Sequence, residues 1–327
     1  MTSVTHKEDL IVRLNKFLAK DLLGVDQHLG ALLTSDTRLV REVGDYLKTG
    51  QGKRLRPILT ILAARMMGYT GKDHVKMGAA LELLHTATLL HDDVIDCAPL
   101  RRGVPTVNAK WGDDVAILIA DYLYAEAFNL AHDALSSDVV RLLCKVTAQM
   151  AEGELFQIEK RDVFLTREDY LRIVRSKTAY LFSACTTLGG LLARADEEET
   201  RLLAGYGMNF GIAFQITDDT LDMAASAVDT GKQHGADIRN GKQTLPLILA
   251  LSAASDADRA ELTAVWKSGR DPELIMGMIR KYHGIENALE EARTFATSAA
   301  AQLETLPGGT TRDFLQEISE YVINRTT

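Results

Sequence analysis

Apolar positions recur at helical spacing along nearly the whole chain, and no stretch alternates apolar and polar residues over strand length with turn signals on both sides. Proline is scarce, at six of 327 residues, and the pattern predicts an all-α protein. Leu10 to Leu33 and Leu39 to Leu47 read as amphipathic helices, the second stopping at Gly50-Gln51-Gly52. Pro57 suits the first turn of a third helix, Ile58 to Met67. After the breaker Gly71-Lys72-Asp73, the apolar run Gly78 to Leu90 leads into His91-Asp92-Asp93-Val94-Ile95-Asp96. Pro99 to Pro105 reads as a loop, and helical patterns resume over Asp113 to Ala134 and Asp138 to Glu159.

Thr166 with Asp169 makes an N-cap for a helix running to about Ala193. Glu197 to Met223 is apolar nearly all round, which places it in the middle of the fold, and it too ends in acids. A polar, glycine-rich loop, Gly231 to Thr244, precedes helical patterns at Leu245 to Ala254, Glu273 to Lys281, Glu286 to Leu303 and Arg312 to Ile323. In the last, Phe314, Leu315, Ile318, Tyr321 and Val322 have core-facing spacing, so the C-terminal helix is expected to pack on the body. With no linker, tandem repeat or low-complexity segment, one domain over residues 1–327 is the simplest organisation.

Composition changes this picture little. With 46% hydrophobic and 25% charged residues the chain reads as an ordinary globular protein, and a net charge of -8 argues against nucleic acid as a partner. Cys97, Cys144 and Cys185 stand far apart in no metal-ligand spacing, which predicts free thiols in a reducing compartment. Met1 to Lys20 shows no signal-peptide pattern, and the longest uncharged runs, Thr178 to Ala193 and Leu202 to Thr217, are short of a membrane span. A cytoplasmic location is the expectation.

The candidate chemistry lies in the acids. At about 100° per residue, Leu81, His85, Leu89, Asp92 and Asp96 fall on one helical stripe, with Asp93 on its flank. Clustered carboxylates stay ionised only beside cations, and a hard divalent ion such as Mg²⁺ takes oxygen ligands and shares them with a phosphate. Alone, the patch reads equally well as a cap or a solvated face. The arrangement recurs, however, at Gln215-Ile216-Thr217-Asp218-Asp219-Thr220-Leu221-Asp222, where Gly211, Gln215, Asp218, Asp219 and Asp222 share a stripe. Both patches end apolar helices, where the helix dipole already adds negative charge, so a cation is required. Basic residues stand beside loops and helix ends: Lys53, Arg54 and Arg56, then Arg101 and Arg102, then Lys177, Lys232 and Lys242. Singly each reads as a surface charge. Together with the acids they describe a site for two diphosphates over an apolar interior, suited to ionising an allylic diphosphate.

Six motifs in order carry a resemblance: Gly52-Lys53-Arg54-Leu55-Arg56-Pro57, His85 to Asp96, Arg101-Arg102-Gly103, Lys177-Thr178, Phe214 to Asp222, and Gly231-Lys232 through Gly241-Lys242 to Leu245-Pro246. In these the chain resembles the trans-isoprenyl (polyprenyl) diphosphate synthases, long-chain type, such as those making octaprenyl or decaprenyl diphosphate. The resemblance implies a single-domain helical bundle around a deep central apolar cavity, assembled as a homodimer. It also implies three Mg²⁺ per active site, held by Asp92, Asp93, Asp96, Asp218, Asp219 and Asp222 on the allylic diphosphate. Arg101, Lys177 and Lys232 would bind that diphosphate, with Thr178, Gln215 and Lys242 assisting. Lys53, Arg56, His85 and Arg102 would bind isopentenyl diphosphate. The residues four, five and eight before the first aspartate, here Thr88, Ala87 and Leu84, gate chain growth in this family. Small residues at the first two imply a long product of the kind used for quinone tails, with peripheral membrane contact for its release left open.

Other readings are a synthase making geranylgeranyl or farnesyl diphosphate, a class I terpene cyclase, and a non-catalytic partner subunit. A cyclase needs no isopentenyl diphosphate pocket, against Lys53, Arg56 and Arg102, and a non-catalytic subunit usually lacks one acid motif. A di-iron carboxylate bundle calls for Glu-x-x-His pairs, which are absent near the acidic stripes.

Overall fold

Helices make up the structure, a computed structural model that describes residues 3–32, 35–49, 52–133, 137–224, 238, 241–268 and 271–324. The first four are α1 (Ser3–Leu32), α2 (Arg38–Thr49), α3 (Leu55–Met66) and α4 (Asp73–Ile95). A hairpin of β1 (Leu100–Arg101) and β2 (Val104–Pro105) leads to α5 (Val107–Trp111), α6 (Asp113–Asp133) and α7 (Ser137–Glu159). Next, α8 (Arg167–Val174) and α9 (Tyr180–Ala193) are joined without a break by a π turn, Arg175–Ala179. Then come α10 (Glu197–Ala224), α11 (Leu245–Ala253), α12 (Asp256–Ser268), α13 (Pro272–Lys281), α14 (Gly284–Gln302) and α15 (Thr310–Asn324).

Two helices organise the bundle. One is α4, packed among α1, α3, α6 and α9, so that every residue from Met77 to Leu84 is buried. The other is α10, packed on α9 and α14. Between them Leu59, Leu62, Leu81, Leu84, Phe182, Tyr206 and Phe210 are fully buried, each large apolar side chain contributing roughly 1.5–3 kcal/mol. This explains why the middle of each acid-bearing helix shows no polar face, polar residues gathering toward the ends. The C-terminal helix docks as expected: Phe314, Leu315, Ile318 and Val322 are buried, and the Tyr206 hydroxyl donates to the Leu315 carbonyl at 2.7 Å. Cys97 and Cys144 are exposed free thiols, and Cys185 is a buried one. Among the described residues no helix is long and apolar enough to cross a membrane.

The N-cap at Thr166 is confirmed as a full capping box, Asp169 N donating to Thr166 Oγ1 and Thr166 N to Asp169 Oδ2. Elsewhere the structure corrects the sequence reading. Pro99–Pro105 contains a β-ladder, Leu100 opposite Pro105 and Arg101 opposite Val104, too short to display alternation. Its turn residues Arg102 and Gly103 both have positive φ, 52° and 80°, as a two-residue hairpin turn requires. α3 begins at Leu55, so Pro57 sits at its third position. Two helices, α5 and α12, were not anticipated.

Candidate active site

The last two turns of α4 carry the first acid patch. Half-buried Asp92 is pushed up to about 6, mainly because burial disfavours its charge; Lys177 and Arg101 pull the other way, and Glu154 and Asp96 add to the rise. Asp96, the C-cap, is exposed. Asp93 is buried and engaged by Arg101, with Nε at 3.0 and 3.1 Å from its two oxygens and Nη2 at 2.8 Å from Oδ1. That fork fastens the hairpin to the end of α4. An expected metal ligand and an expected diphosphate ligand therefore hold one another.

His85 lies two turns earlier on α4. Burial, then the nearby Arg56, Arg101 and Arg102 guanidiniums, hold its imidazole well below the usual histidine range, so it is neutral. Arg56 packs over the Phe182 ring, 4.6 Å from its centroid. Burial lowers the affinity of Arg56 for its proton, against opposing influences that include Glu82 and Asp218. Its buried Nε has no hydrogen-bond partner among the described residues, as a donor reserved for an incoming anion would. Lys53 and Arg102 are exposed, and a Cβ placed on Gly52 would lie 3.3 Å from Arg102 Nη1, so the two basic loops meet.

Lys177 and Thr178 sit on the π turn, a feature often found at functional sites. Lys177 is paired with Glu154 and donates to Gln157 Oε1 at 3.0 Å, both on α7. The close approach depends on Gly153, where an added Cβ would come within 2.6 Å of Ser176 Cβ and 3.1 Å of Lys177 Cγ. Gly153→Ala is therefore expected to push the π turn off α7, destabilising the protein by about 1–3 kcal/mol and lowering turnover. Urea denaturation and steady-state rates measure the two effects, and unchanged values would remove the packing argument.

The second patch is tied to the same turn. Thr178 Oγ1 donates to Gln215 Oε1 and Gln215 Nε2 to Asp219 Oδ1, each at 2.8 Å, while the Tyr170 hydroxyl donates to Asp219 Oδ2 at 2.6 Å. Asp218 is exposed and Asp222 half-buried. Asp218 acts electrostatically on Arg56, and Lys177 on Asp92, so each acid patch lies within reach of a cation from another helix. Lys242 is exposed beside Gln243, whose amide accepts from Leu165 N and donates to Val163 O. Lys232 lies outside the described residues. Behind the patch, Leu84 and Ala87 are buried, while Thr88 is half-buried with its hydroxyl on the His85 carbonyl at 2.8 Å.

Glu154, Gln157 and Tyr170 were not found from sequence; the only local signal was Gly153-Glu154 inside a helical pattern. Among the described residues no three His, Cys, Asp or Glu side chains converge into a ready-made metal cage. The donor set still fits a hard divalent cation: oxygen ligands at two helix ends, one of them a carboxylate held uncomfortably as an anion, are suited to ions that complete their shell with phosphate oxygens.

Comparison with known proteins agrees with this geometry. The polyprenyl synthetase family model matches residues 37–280. Octaprenyl diphosphate synthase of Escherichia coli (strain K12) is 35% identical over 317 residues, 96% of this chain and 98% of that protein. The crystal structure of a decaprenyl diphosphate synthase from Rhodobacter capsulatus superposes with a TM-score of 0.91 at 38% identity, covering 97% of this chain and 99% of that one. A polyprenyl synthase from Caulobacter crescentus CB15, complexed with calcium and isoprenyl diphosphate, gives 0.90 at 33% identity over 97% and 98% of the two chains.

Proposed function

Because the chain belongs to the polyprenyl synthetase family of trans-prenyltransferases, we propose that it condenses isopentenyl diphosphate head to tail onto an allylic diphosphate, repeating the step to make a long all-trans polyprenyl diphosphate. The observation that supports this reading is the π turn that joins Lys177 to α7 and, through Thr178 and Gln215, to Asp219, beside a buried Arg56 Nε left unbonded among the described residues. In this reading residues 1–327 act as one domain.

Asp92, Asp96, Asp218 and Asp222 would hold Mg²⁺, three ions per site, with Asp93 and Asp219 supporting them from their bonds to Arg101 and Tyr170. Bound Mg²⁺ supplies positive charge that stabilises diphosphate as a leaving group. Lys177, Arg101, Lys232, Gln215 and Lys242 hold the allylic diphosphate, which competes with Glu154 for the Lys177 ammonium. Lys53, Arg56, Arg102 and neutral His85 orient isopentenyl diphosphate. The allylic carbon–oxygen bond breaks with its electron pair going to diphosphate; the isopentenyl double bond supplies the electrons of the new carbon–carbon bond. A proton then passes to the released diphosphate, and no side-chain nucleophile takes part.

Incubation with radiolabelled isopentenyl diphosphate, a farnesyl diphosphate primer and Mg²⁺, with products resolved by length, tests the reading. Products of octaprenyl to decaprenyl length are expected, of the kind that form quinone side chains. A product ending at geranylgeranyl length overturns the long-chain part, and a hydrocarbon formed without isopentenyl diphosphate overturns the reaction. Three free cysteines accord with work in the cytoplasm, and release of so apolar a product accords with peripheral membrane contact.

The active form in this reading is a homodimer. Ile117 and Leu118 on α6 and Leu155 and Ile158 on α7 are 40%, 67%, 61% and 40% exposed, a set of large apolar side chains that a partner copy would cover. Leu118→Glu with Leu155→Glu is expected to shift the sedimenting species from dimer to monomer. A monomeric wild type would remove the assignment.

A further inference from the structure

Of the basic residues Lys53, Arg54 and Arg56, Arg54 has no place in the reading above, and it has the least ordinary backbone. It is the N-cap of α3 in the left-handed conformation, φ 52° and ψ 34°, where a residue with a β-carbon is disfavoured. Its guanidinium, 17% exposed, forks between two helices: Nε and Nη2 lie 3.2 and 3.0 Å from Asp26 Oδ1 on α1, and Nη1 lies 3.1 Å from Glu82 Oε1 on α4. Its carbonyl accepts the first bond of α3, from Ile58 N at 3.0 Å.

Glu82 is buried, 7% exposed, and Arg54 is its ion-pair partner. Arg56 also feels the field of Glu82. A buried carboxylate deprived of its partner is strongly unfavourable and recruits the nearest cation. Arg56 already feels the charge of Glu82, so with Arg54 removed it is the cation we expect to turn from the site toward Glu82.

We propose that Arg54 is a positioning residue for the isopentenyl diphosphate cradle: by holding the strained start of α3 and occupying Glu82, it keeps Arg56 directed at the ligand. The inference rests on the reading of Arg56 as a diphosphate ligand.

The experiment compares wild type, Arg54→Ala and Arg54→Ala with Glu82→Gln. Arg54→Ala is expected to raise KM for isopentenyl diphosphate roughly ten- to hundredfold, with KM for the allylic diphosphate within about twofold. Adding Glu82→Gln, which removes the competing charge, is expected to recover most of that loss, an outcome that general loosening of the fold would not produce. Arg54→Ala with unchanged KM for isopentenyl diphosphate, or no recovery in the double variant, overturns the proposal. Calorimetric titration with inorganic diphosphate in metal-free buffer reads the cradle without turnover: weaker binding in Arg54→Ala, restored in the double variant, is expected, and equal binding in all three proteins counts against Arg54. A wild type that forms no product with isopentenyl diphosphate refutes the proposed reaction instead, leaving the titration to decide on Arg54.

Discussion

Asp92→Ala is expected to lower turnover by about 10²–10³-fold or more, because charge stabilisation of the leaving group is among the largest contributions to such a reaction. The same change is expected to leave the protein, in the absence of divalent ions, at least as stable as before. Burial pushes the Asp92 carboxyl up to about 6, above the ordinary carboxylate range, so the folded state holds its proton more tightly than the unfolded chain does. The stabilisation tied to that proton is present below the unfolded pKa and disappears as pH rises through about 6, leaving the ionised group a liability of at most about 3 kcal/mol at neutral pH. His85 has the opposite sign: its depressed folded pKa means that stability is present above the unfolded value and falls as pH drops through the acid range. Turnover at saturating substrate and urea midpoints from pH 5 to 8 measure both properties. Near-normal turnover, or a loss of stability at neutral pH, would refute the role given to Asp92.

Thr88→Phe is expected to give products that stop several isoprene units earlier than those of the wild type, with little change in stability. Thr88 is half-buried on the side of α4 that also carries His85 and Asp92, so an aromatic ring there would stand beside the acid patch, on the path proposed for the growing chain. Ala87 is closed off at 0% exposure, and Ala87→Phe must displace packed neighbours, destabilising the protein by about 1–3 kcal/mol. The pair thus separates two ways of shortening a product, and chromatographic length analysis with urea denaturation reads both. Unchanged product length in Thr88→Phe would refute the assignment of the growth path.

Long apolar helices were legible because burial on all sides leaves long, largely apolar runs, as in Gly78 to Leu90 and Leu202 to Thr217. Failures fall where structure depends on contacts rather than period. α12 buries only Leu262 and Trp266, too few to set a period, and α3 starts early because Arg54 is held from α1 and α4. The same holds at the site. The acids and bases were visible as motifs, whereas Tyr170 reaches Asp219 from a different helix and Glu154 meets Lys177 only through a π turn, neither of which local spacing encodes.

That π turn also sets a phase. On an uninterrupted α-helix Tyr170 and Phe182 would point about 120° apart, and one inserted residue brings them to within about 20°. Tyr170 reaches the second acid patch and Phe182 lies beneath Arg56, so a single rod serves the compartments proposed for both diphosphates. A one-residue deletion at Arg175–Ala179 would leave that rod helical and throw its two ends out of register, uncoupling the compartments without unfolding either.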